Sequence, residues 1–284
     1  MPSTPHDEPR LAELLKRTDA IADGAPAADT VPTGFPTLDR LLGGGLRRGD
    51  LIVLGGDVGT GKSALAIAIA LRAAEAGNAV TYLSGEMSPN RVNERLLAIE
   101  GRASIDALRS GTLDEETRVS LGAVALRKPH MLPVVRAMPH DDSAALDAEA
   151  KREPVPVLLV VDSLQHVHGG GAPAENNAHA VLALKELAMR NHLAVLVTAH
   201  LPELAPTREN LRPQLQDFGA VGAIKQLADV VLGLFREEIY HPVPGSEGAA
   251  ELAILKNRHG PTAYIDLYFY KQWLRFEDMV DPDR

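Results

Sequence analysis

The chain has 284 residues, 45% of them hydrophobic, which is enough for one large or two small domains with a full core. Its 38 acidic residues outnumber 29 basic ones, and the formal charge of −9 argues against broad attraction to nucleic acid, so any such contact must be local. The absence of cysteine excludes disulfides, thiolate metal sites and thiol nucleophiles. The N-terminus has no apolar signal core and no apolar run could span a bilayer, so we expect a cytoplasmic protein without membrane contact.

The N-terminal segment contains one predicted helix followed by a linker. The helix, over about residues 8–22, places Leu11, Leu14 and Leu15 on one face. Residues 24–32 (GAPAADTVP) have no periodicity and are typical of a flexible linker. Two interpretations of the helix remain open. It is either a frayed, solvated tail, or its leucine face docks onto another part of the protein or onto a neighbouring subunit.

A phosphate-loop motif follows a buried strand. Residues 51–55 (LIVLG) are apolar or small, as in a parallel strand covered on both faces. Residues 64–71 are helix formers without a breaker, so strand, loop and helix follow in the order that the motif requires. Between them, eight residues match G-x-x-x-x-G-K-S at every fixed position: Gly56, Asp57, Val58, Gly59, Thr60, Gly61, Lys62 and Ser63.

The residue types of this loop suit a magnesium-bound triphosphate. Gly56, Gly59 and Gly61 would let several backbone N–H groups approach phosphate oxygens, and the following helix would add its N-terminal dipole. Lys62 would neutralise charge on the β and γ phosphates, and the hydroxyl of Ser63 would ligate Mg²⁺. A glycine-rich turn with an incidental lysine is the weaker interpretation, because both flanks match the motif.

A glutamate lies just beyond the next predicted strand. Residues 78–84 (NAVTYLS) form that strand, Glu86 follows it, and residues 89–99 form the next helix. Ligands of open α/β sheets bind at the carboxyl ends of the strands. Glu86 is therefore a candidate general base for an attacking water, and a solvated loop glutamate is the equal alternative.

Two further strands end in polar residues. The apolar run 157–161 ends at Asp162, which we predict to hold magnesium; a strand-terminal aspartate that begins a turn is the alternative. Residues 193–199 form another buried strand, and His200 after it is either a sensor of the γ phosphate or a capping or core histidine. His166 and His168 lack an apparent third metal ligand, so we predict a flexible loop there.

The remaining segments complete an α/β pattern. Residues 140–153 are predicted to form a solvated helix, and residues 201–224 a long loop, which in a compact domain is usually functional or disordered. The other predicted elements are a strand at 131–135, a helix at 176–192, and β structure at 228–235, 251–255, 263–270 and 273–277.

Several motifs, taken in order, resemble the C-terminal motor domain of DnaB-type replicative helicases, within the RecA-like ATPases. The resemblance runs from Thr33 to about Met279 and implies a P-loop NTPase with a mostly parallel twisted sheet, flanking helices and antiparallel C-terminal strands. The motifs are TGFPTLDRLLGGGLRRGDLIVLGG, GTGKS, LSGEMS, VVDSLQ, DFGAVGAIKQLADVVL with FREEIY, and LKNRHGPT.

The family implies a role for each matching residue. With ATP and Mg²⁺ as ligands, Lys62 and Ser63 would serve phosphate and metal, Asp162 the metal, and Glu86 would be the catalytic glutamate. Two residues of LKNRHG, Lys256 and Arg258, match the family's finger residues, which reach the γ phosphate of the next subunit. Without the family, this segment is a charged hairpin tip.

The resemblance also implies an assembly. We expect a homo-oligomeric ring, a hexamer, with ATP between subunits, that moves along single-stranded DNA. The N-terminal leucine-faced helix resembles the family's linker helix, which favours docking on the neighbouring subunit. The chain accordingly divides into a linker helix with a flexible tail, 1–32, and a RecA-like ATPase domain, 33–284.

The chain departs from the family in three places. Only 32 residues precede the motor, so we expect the family's helical N-terminal domain to be absent. Gly219 occupies the position of a DNA-gripping arginine, and His200 that of a glutamine. Across the loop, Glu203, Glu209 and Asp217 offset Arg208, Arg212 and Lys225. The alternative hypothesis is therefore a regulatory or scaffold ATPase that assembles with protein partners and binds DNA weakly or not at all.

Overall fold

A computed structural model describes residues 15–16, 18–19, 29–126, 131–139, 143–167, 172–202, 208–242 and 244–279. Within these ranges, none of the helices combines the length and apolar character needed to cross a membrane. The described helices are α1 (Pro36–Leu41), α2 (Lys62–Glu75), α3 (Pro89–Gly101), α4 (Ile105–Ser110), α5 (Glu115–Ala125), α6 (Ser143–Ala150), α7 (Pro173–Asn191) and α8 (Ala223–Leu227).

The strands form two sheets. A small antiparallel ladder pairs β1 (Thr30–Val31) with β2 (Leu46–Arg47). The large sheet contains β3 (Leu51–Gly56), β4 (Val80–Ser84), β5 (Val134–Ala137), β6 (Leu158–Asp162), β7 (Ala194–His200), β8 (Val230–Phe235), β9 (Ala249–Asn257), β10 (Ala263–Tyr270) and β11 (Arg275–Asp278).

The large sheet is mostly parallel, as predicted. Its strand order is β11-β10-β9-β8-β3-β7-β6-β4-β5. The strands from β8 to β5 run parallel, and β9, β10 and β11 add an antiparallel edge. Parallel neighbours require crossovers that cover the sheet faces with helices, which explains the unbroken apolar runs of β3 and β6.

Helices pack on both faces of this sheet. Alternate residues of β3 point to opposite sides, with Ile52 and Leu54 in the core under α2, and Leu51 and Val53 in the core under α7. The buried residues of α2 are mostly alanine, leucine and isoleucine, and the small alanines allow close approach to the sheet. The start of α2, and with it the phosphate loop, is thereby held against the centre of the sheet.

One strand boundary and the burial of one helix differ from the sequence prediction. The strand predicted at residues 131–135 is β5, which begins at Val134. The helix predicted to be solvated is not fully so, because Leu146 and Ala150 of α6 are buried in the core with α7. These two residues stand four apart on one helical face, a spacing that the charged residues around them obscured.

The predicted linker and N-terminal helix are described only in part. Thr30 and Val31, at the end of the predicted linker, form β1, and Val31 is fully buried. Leu15 is helical and 59% exposed in the single chain. Leu11 and Leu14 lie outside the described residues, as do His168 and Glu203.

Candidate nucleotide-binding site

The predicted site residues lie at one edge of the large sheet, where its parallel strands end. Gly56, the last residue of β3, pairs with His200 of β7, and Ser84 of β4 pairs with Asp162 of β6. The register therefore aligns the ends of four neighbouring strands. Ser63 of the phosphate loop donates to Asp162, so these strand ends lie beside the loop, at the edge where open α/β sheets bind ligands.

The phosphate loop has the backbone that close approach to an anion requires. Gly61 has φ of 99°, a left-handed conformation, and caps α2. A Cβ placed on Gly61 would lie 3.0 Å from the ring of Phe276, whereas one on Gly59 would meet nothing within 4 Å. Lys62 begins α2, and its Nζ donates to the carbonyl oxygen of Asp57 at 2.9 Å across the loop.

Two residues outside the motif hold this loop from behind. The hydroxyl of Tyr240 donates to Asp57 Oδ2 at 2.8 Å, and its ring stacks on Phe235 with centroids 5.4 Å apart. The buried guanidinium of Arg236 donates to the carbonyl oxygen of Gly59 at 3.2 Å. The sequence did not predict these roles, because both residues lie far downstream of the loop in the chain. The motif FREEIY, residues 235–240, contains both residues but does not indicate what they contact.

We expect Tyr240→Phe to loosen the phosphate loop. The change removes the hydroxyl bond to Asp57 and keeps the ring stack, so the free energy of unfolding should fall by about 0.5–1.5 kcal/mol. Nucleotide affinity should fall with it. Denaturant unfolding and nucleotide titration measure both effects, with Tyr264→Phe on the exposed face of β10 as the control. Equal stability and equal nucleotide affinity of the two variants would contradict this role of the Tyr240 hydroxyl.

Asp162 lies at the centre of a polar cluster beside the loop. It is 1% exposed, and it accepts hydrogen bonds from Ser63 Oγ at 3.2 Å, Thr198 Oγ1 at 2.5 Å and Tyr82 Oη at 2.7 Å. Burial, together with the Asp162 charge, raises the pKa of Tyr82 well above its ordinary value, so the phenol stays a donor. The hydroxyl of Ser63 and the carboxylate of Asp162 are hard oxygen ligands of the kind that fit Mg²⁺.

Glu86 is held by a histidine rather than free in solvent. Its Oε1 lies 2.5 Å from His200 Nε2. Burial raises the pKa of Glu86, but hydrogen bonds from His200 and Ser163 outweigh burial, and the net pKa is below its ordinary value. Glu86 is therefore ionised at neutral pH, the state in which a carboxylate can accept a proton.

Lys62 completes the charge pattern of the crevice. Burial lowers the pKa of its ammonium, while the charges of Glu86, Asp162 and Asp57 oppose that shift. The desolvated ammonium matches a ligand that brings negative charge, and the carboxylates beside it match the divalent cation that a triphosphate carries. The structure thus brings together Lys62, Ser63, Glu86, Asp162 and His200.

The prediction of a flexible loop at His166 was wrong for this residue. Residues Leu164–His166 form a 3-10 turn, and the His166 ring nitrogen Nδ1 lies 3.1 Å from Ser163 Oγ. A Cβ on Gly85 would lie 2.5 Å from His166 Cβ. The turn therefore packs directly behind the Glu86 segment, and the missing side chain of Gly85 makes room for it.

Lys256 and Arg258 lie at the opposite edge of the sheet. β9 runs antiparallel to β8 and pairs Asn257 with Val230, whereas the end of β3 pairs with Leu234. Along β8, Val230 and Leu234 are four residues apart, so Asn257 and the end of β3 are separated by about 13 Å in the strand direction. Within one chain, the structure does not bring the two candidate finger residues to the phosphate loop.

The loop at residues 219–222 has an unusual backbone. Gly219 has φ of 60°, and φ is also positive at Ala220, Val221 and Gly222. Val221 is 70% exposed at its tip. Behind the tip, the ring of Phe218 fills the space that a side chain on Gly55 would occupy, since a Cβ there would lie 2.3 Å from the ring. The loop is thus in direct contact with the strand that ends in the phosphate loop.

The arginines near this loop are paired, partly as the sequence predicted. Arg208 binds Asp217 at 2.6 Å. Arg212 binds Glu251 of β9 with two bonds of 2.6 Å, a partner outside the loop that sequence reasoning did not find. Lys225 on α8 is exposed.

A phosphate loop after the central strand of a mostly parallel sheet, with carboxylates at neighbouring strand ends, defines a RecA-like P-loop NTPase. The chain matches the DnaB-like helicase C terminal domain over residues 30–278, nearly its whole length. It therefore belongs to this family, whose ATPase domains bind nucleotide.

Two relatives are similar to this chain over most of its length. The replicative DNA helicase DnaB of Geobacillus stearothermophilus is 30% identical over 278 residues, covering 94% of this chain and 59% of that protein. The replicative DNA helicase DnaC of Bacillus subtilis (strain 168) is 28% identical over 88% of this chain and 56% of its own length. The chain therefore spans less than two thirds of either relative.

Two solved structures support the fold. One is a separate ATPase domain, with a TM-score of 0.85 at 21% identity and with 96% of this chain and 100% of that chain covered. The other is a DnaB-like replicative helicase, described with its interactions with primase. It has a TM-score of 0.83 at 21% identity, with 95% of this chain and 68% of that chain covered.

Proposed function

We propose that this chain is the ATP-hydrolysing motor of a ring-forming replicative DNA helicase of the DnaB type. The observation that carries the proposal is the convergence of Lys62, Ser63, Glu86 and Asp162 at the carboxyl edge of the sheet. Family membership and the names of the relatives support the same function.

In this proposal each group has one task. The loop N–H groups and Lys62 hold the β and γ phosphates of ATP. Ser63 and Asp162 hold Mg²⁺, which when bound neutralises charge on the phosphate oxygens. Glu86 accepts the proton of the attacking water, and His200 orients the carboxylate that does so.

The finger residues act between subunits. Because β9 carries Lys256 and Arg258 to the edge away from their own phosphate loop, we assign them to the site of the adjacent subunit in a homo-oligomeric ring, a hexamer. The exposed Leu15 fits a linker helix, within residues 1–32, that covers its leucine face on that neighbour, while residues 33–284 form the ATPase domain.

Single-stranded DNA is the proposed track, and the loop at residues 219–222 is its contact. Backbone N–H groups there can bind phosphates without the family's arginine. The paired Arg208 and Arg212 favour the second candidate function, a regulatory or scaffold ATPase that assembles with protein partners and binds DNA weakly or not at all.

ATPase activity should rise on adding single-stranded DNA and the rise should decline with salt, because phosphate contacts release counterions. Lys225→Ala should reduce the slope of log affinity against log salt by about 0.7, and Arg118→Ala on exposed α5 should not. No stimulation by DNA at any salt concentration would exclude the translocase and favour the scaffold.

A further inference from the structure

A second charged cluster lies at the amino edge of the sheet, away from the phosphate loop. Asp50 precedes β3, Asp229 precedes β8, and His259 lies at the tip of the hairpin that joins β9 to β10. One ligand atom from each of the three lies within 4.8 Å of the others. His259 Nε2 pairs with Asp50 Oδ2 at 3.2 Å.

Asp229 is the buried centre of this cluster. The residue is 2% exposed, and both of its oxygens are bonded. Oδ2 accepts from Lys185 Nζ at 2.5 Å and from the backbone N–H of Leu51 at 2.9 Å, while Oδ1 lies 2.9 Å from Arg258 Nε. Two cations already balance this carboxylate, so the cluster is an ion-pair network rather than a metal site.

The network determines how Arg258 is presented. Its backbone N–H donates to the carbonyl oxygen of Asp229 at 2.8 Å, and its Nη2 donates to the carbonyl oxygen of Gln226 at 3.3 Å. With Nε on the buried carboxylate, the stem side of the guanidinium is fixed, yet the side chain remains 48% exposed. An arginine fixed in this way loses less conformational freedom when it binds a phosphate.

Neutralising Asp229 does not require Arg258. Lys185 Nζ, which also donates to the carbonyl oxygen of Gly49 at 2.9 Å, is a sufficient counterion from α7. The second cation is taken from the exposed hairpin tip, where it would otherwise be solvated. The ion pair therefore fixes the orientation of an exposed arginine, an arrangement that suits binding to a group outside this chain.

We propose that Asp229 is a positioning residue that holds Arg258 in the orientation needed to reach the γ phosphate of the adjacent subunit. The inference rests on the proposed function, in which Arg258 acts between subunits. It adds a residue that contacts neither nucleotide nor metal and acts only through Arg258.

The test is a double-mutant cycle in the assembled protein, with ATP hydrolysis measured at saturating DNA. Asp229→Asn should lower kcat by at least about tenfold and change the KM for ATP by less than about twofold, because Arg258 would act on charge that develops in the transition state rather than on bound ATP. Asp229→Asn added to Arg258→Ala should cause no further loss of kcat. Asp229→Asn subunits mixed with Lys62→Ala subunits should regain activity, since each defect lies in a different partner of the shared site.

Asp50→Asn is the matched control, because it removes a carboxylate of the same cluster that pairs with His259 and not with Arg258. Its kcat should stay within about twofold of the unaltered chain. If Asp229→Asn fails to fold because Lys185 is left unpaired, Asp229→Asn combined with Lys185→Met, compared with Lys185→Met alone, supplies the same measurement.

The outcomes separate the two proposals. Loss of activity in Arg258→Ala with full activity in folded Asp229→Asn overturns the positioning role alone. Full activity in Arg258→Ala overturns the finger function itself, and the positioning role with it. Additive losses in the double variant show that Asp229 acts elsewhere, which also overturns the inference.

Discussion

Glu86→Gln is expected to lower the rate of ATP hydrolysis by about 10²- to 10⁴-fold and to leave ATP binding within a few-fold of the unaltered chain. The amide keeps the size of the side chain and its place near His200, but it cannot accept a proton from water. Since Lys62, Ser63 and Asp162 are unchanged, the groups proposed to hold phosphate and metal remain.

Single-turnover hydrolysis and nucleotide titration measure the two effects separately. Glu116→Gln, on the exposed face of α5, is the matched control and should behave as the unaltered chain does. If the Glu86→Gln variant hydrolyses ATP at the normal rate, Glu86 is not the general base and is only a hydrogen-bond partner of His200. Loss of ATP binding in this variant would also count against the assignment, because a base is not needed for binding.

Arg258→Ala should reduce hydrolysis in the assembled ring by about 10³- to 10⁵-fold, the range known for a cation that stabilises charge on a transferring phosphoryl group. The loss should be relieved by mixing with Lys62→Ala subunits. A mixed ring contains sites in which an intact phosphate loop faces an intact finger, because the two residues lie at opposite edges of one chain.

Hydrolysis measured across mixing ratios, at fixed total protein, tests this expectation. Arg109→Ala, which removes an exposed arginine from α4, is the control for general loss of positive charge. Failure of mixed rings to recover, in particles shown to contain both subunits, would place Arg258 outside the active site. Full activity of the Arg258→Ala ring on its own would do the same.

The elements that depend on local sequence were predictable. The phosphate loop, the buried runs of β3, β6 and β7, and the paired strands β8 and β9 all have local signals, in glycine spacing or in apolar periodicity. The polar residues at the strand ends could be placed as well, because parallel strands bring their carboxyl ends to one edge.

Errors arose where a local signal was weak or conflicting. The charged residues of α6 hid its buried face at Leu146 and Ala150. The lack of a third metal ligand for His166 and His168 led to the prediction of a flexible loop, whereas the turn at His166 is packed. Packing against another element, rather than local propensity, determined the burial of one face of α6 and the turn at His166.

The sequence by itself determined the fold class and the phosphate loop, because each has a local pattern, and it placed Glu86, Asp162 and His200 at the ends of buried strands. Only the tertiary structure decided the partners that support them. The hydrogen bond from Tyr240 to Asp57 and the ion pair between Asp229 and Arg258 depend on strand register and on the path of a hairpin across the sheet. Contacts of this kind join residues that are far apart in the chain or on different strands, and no periodicity of either segment specifies them.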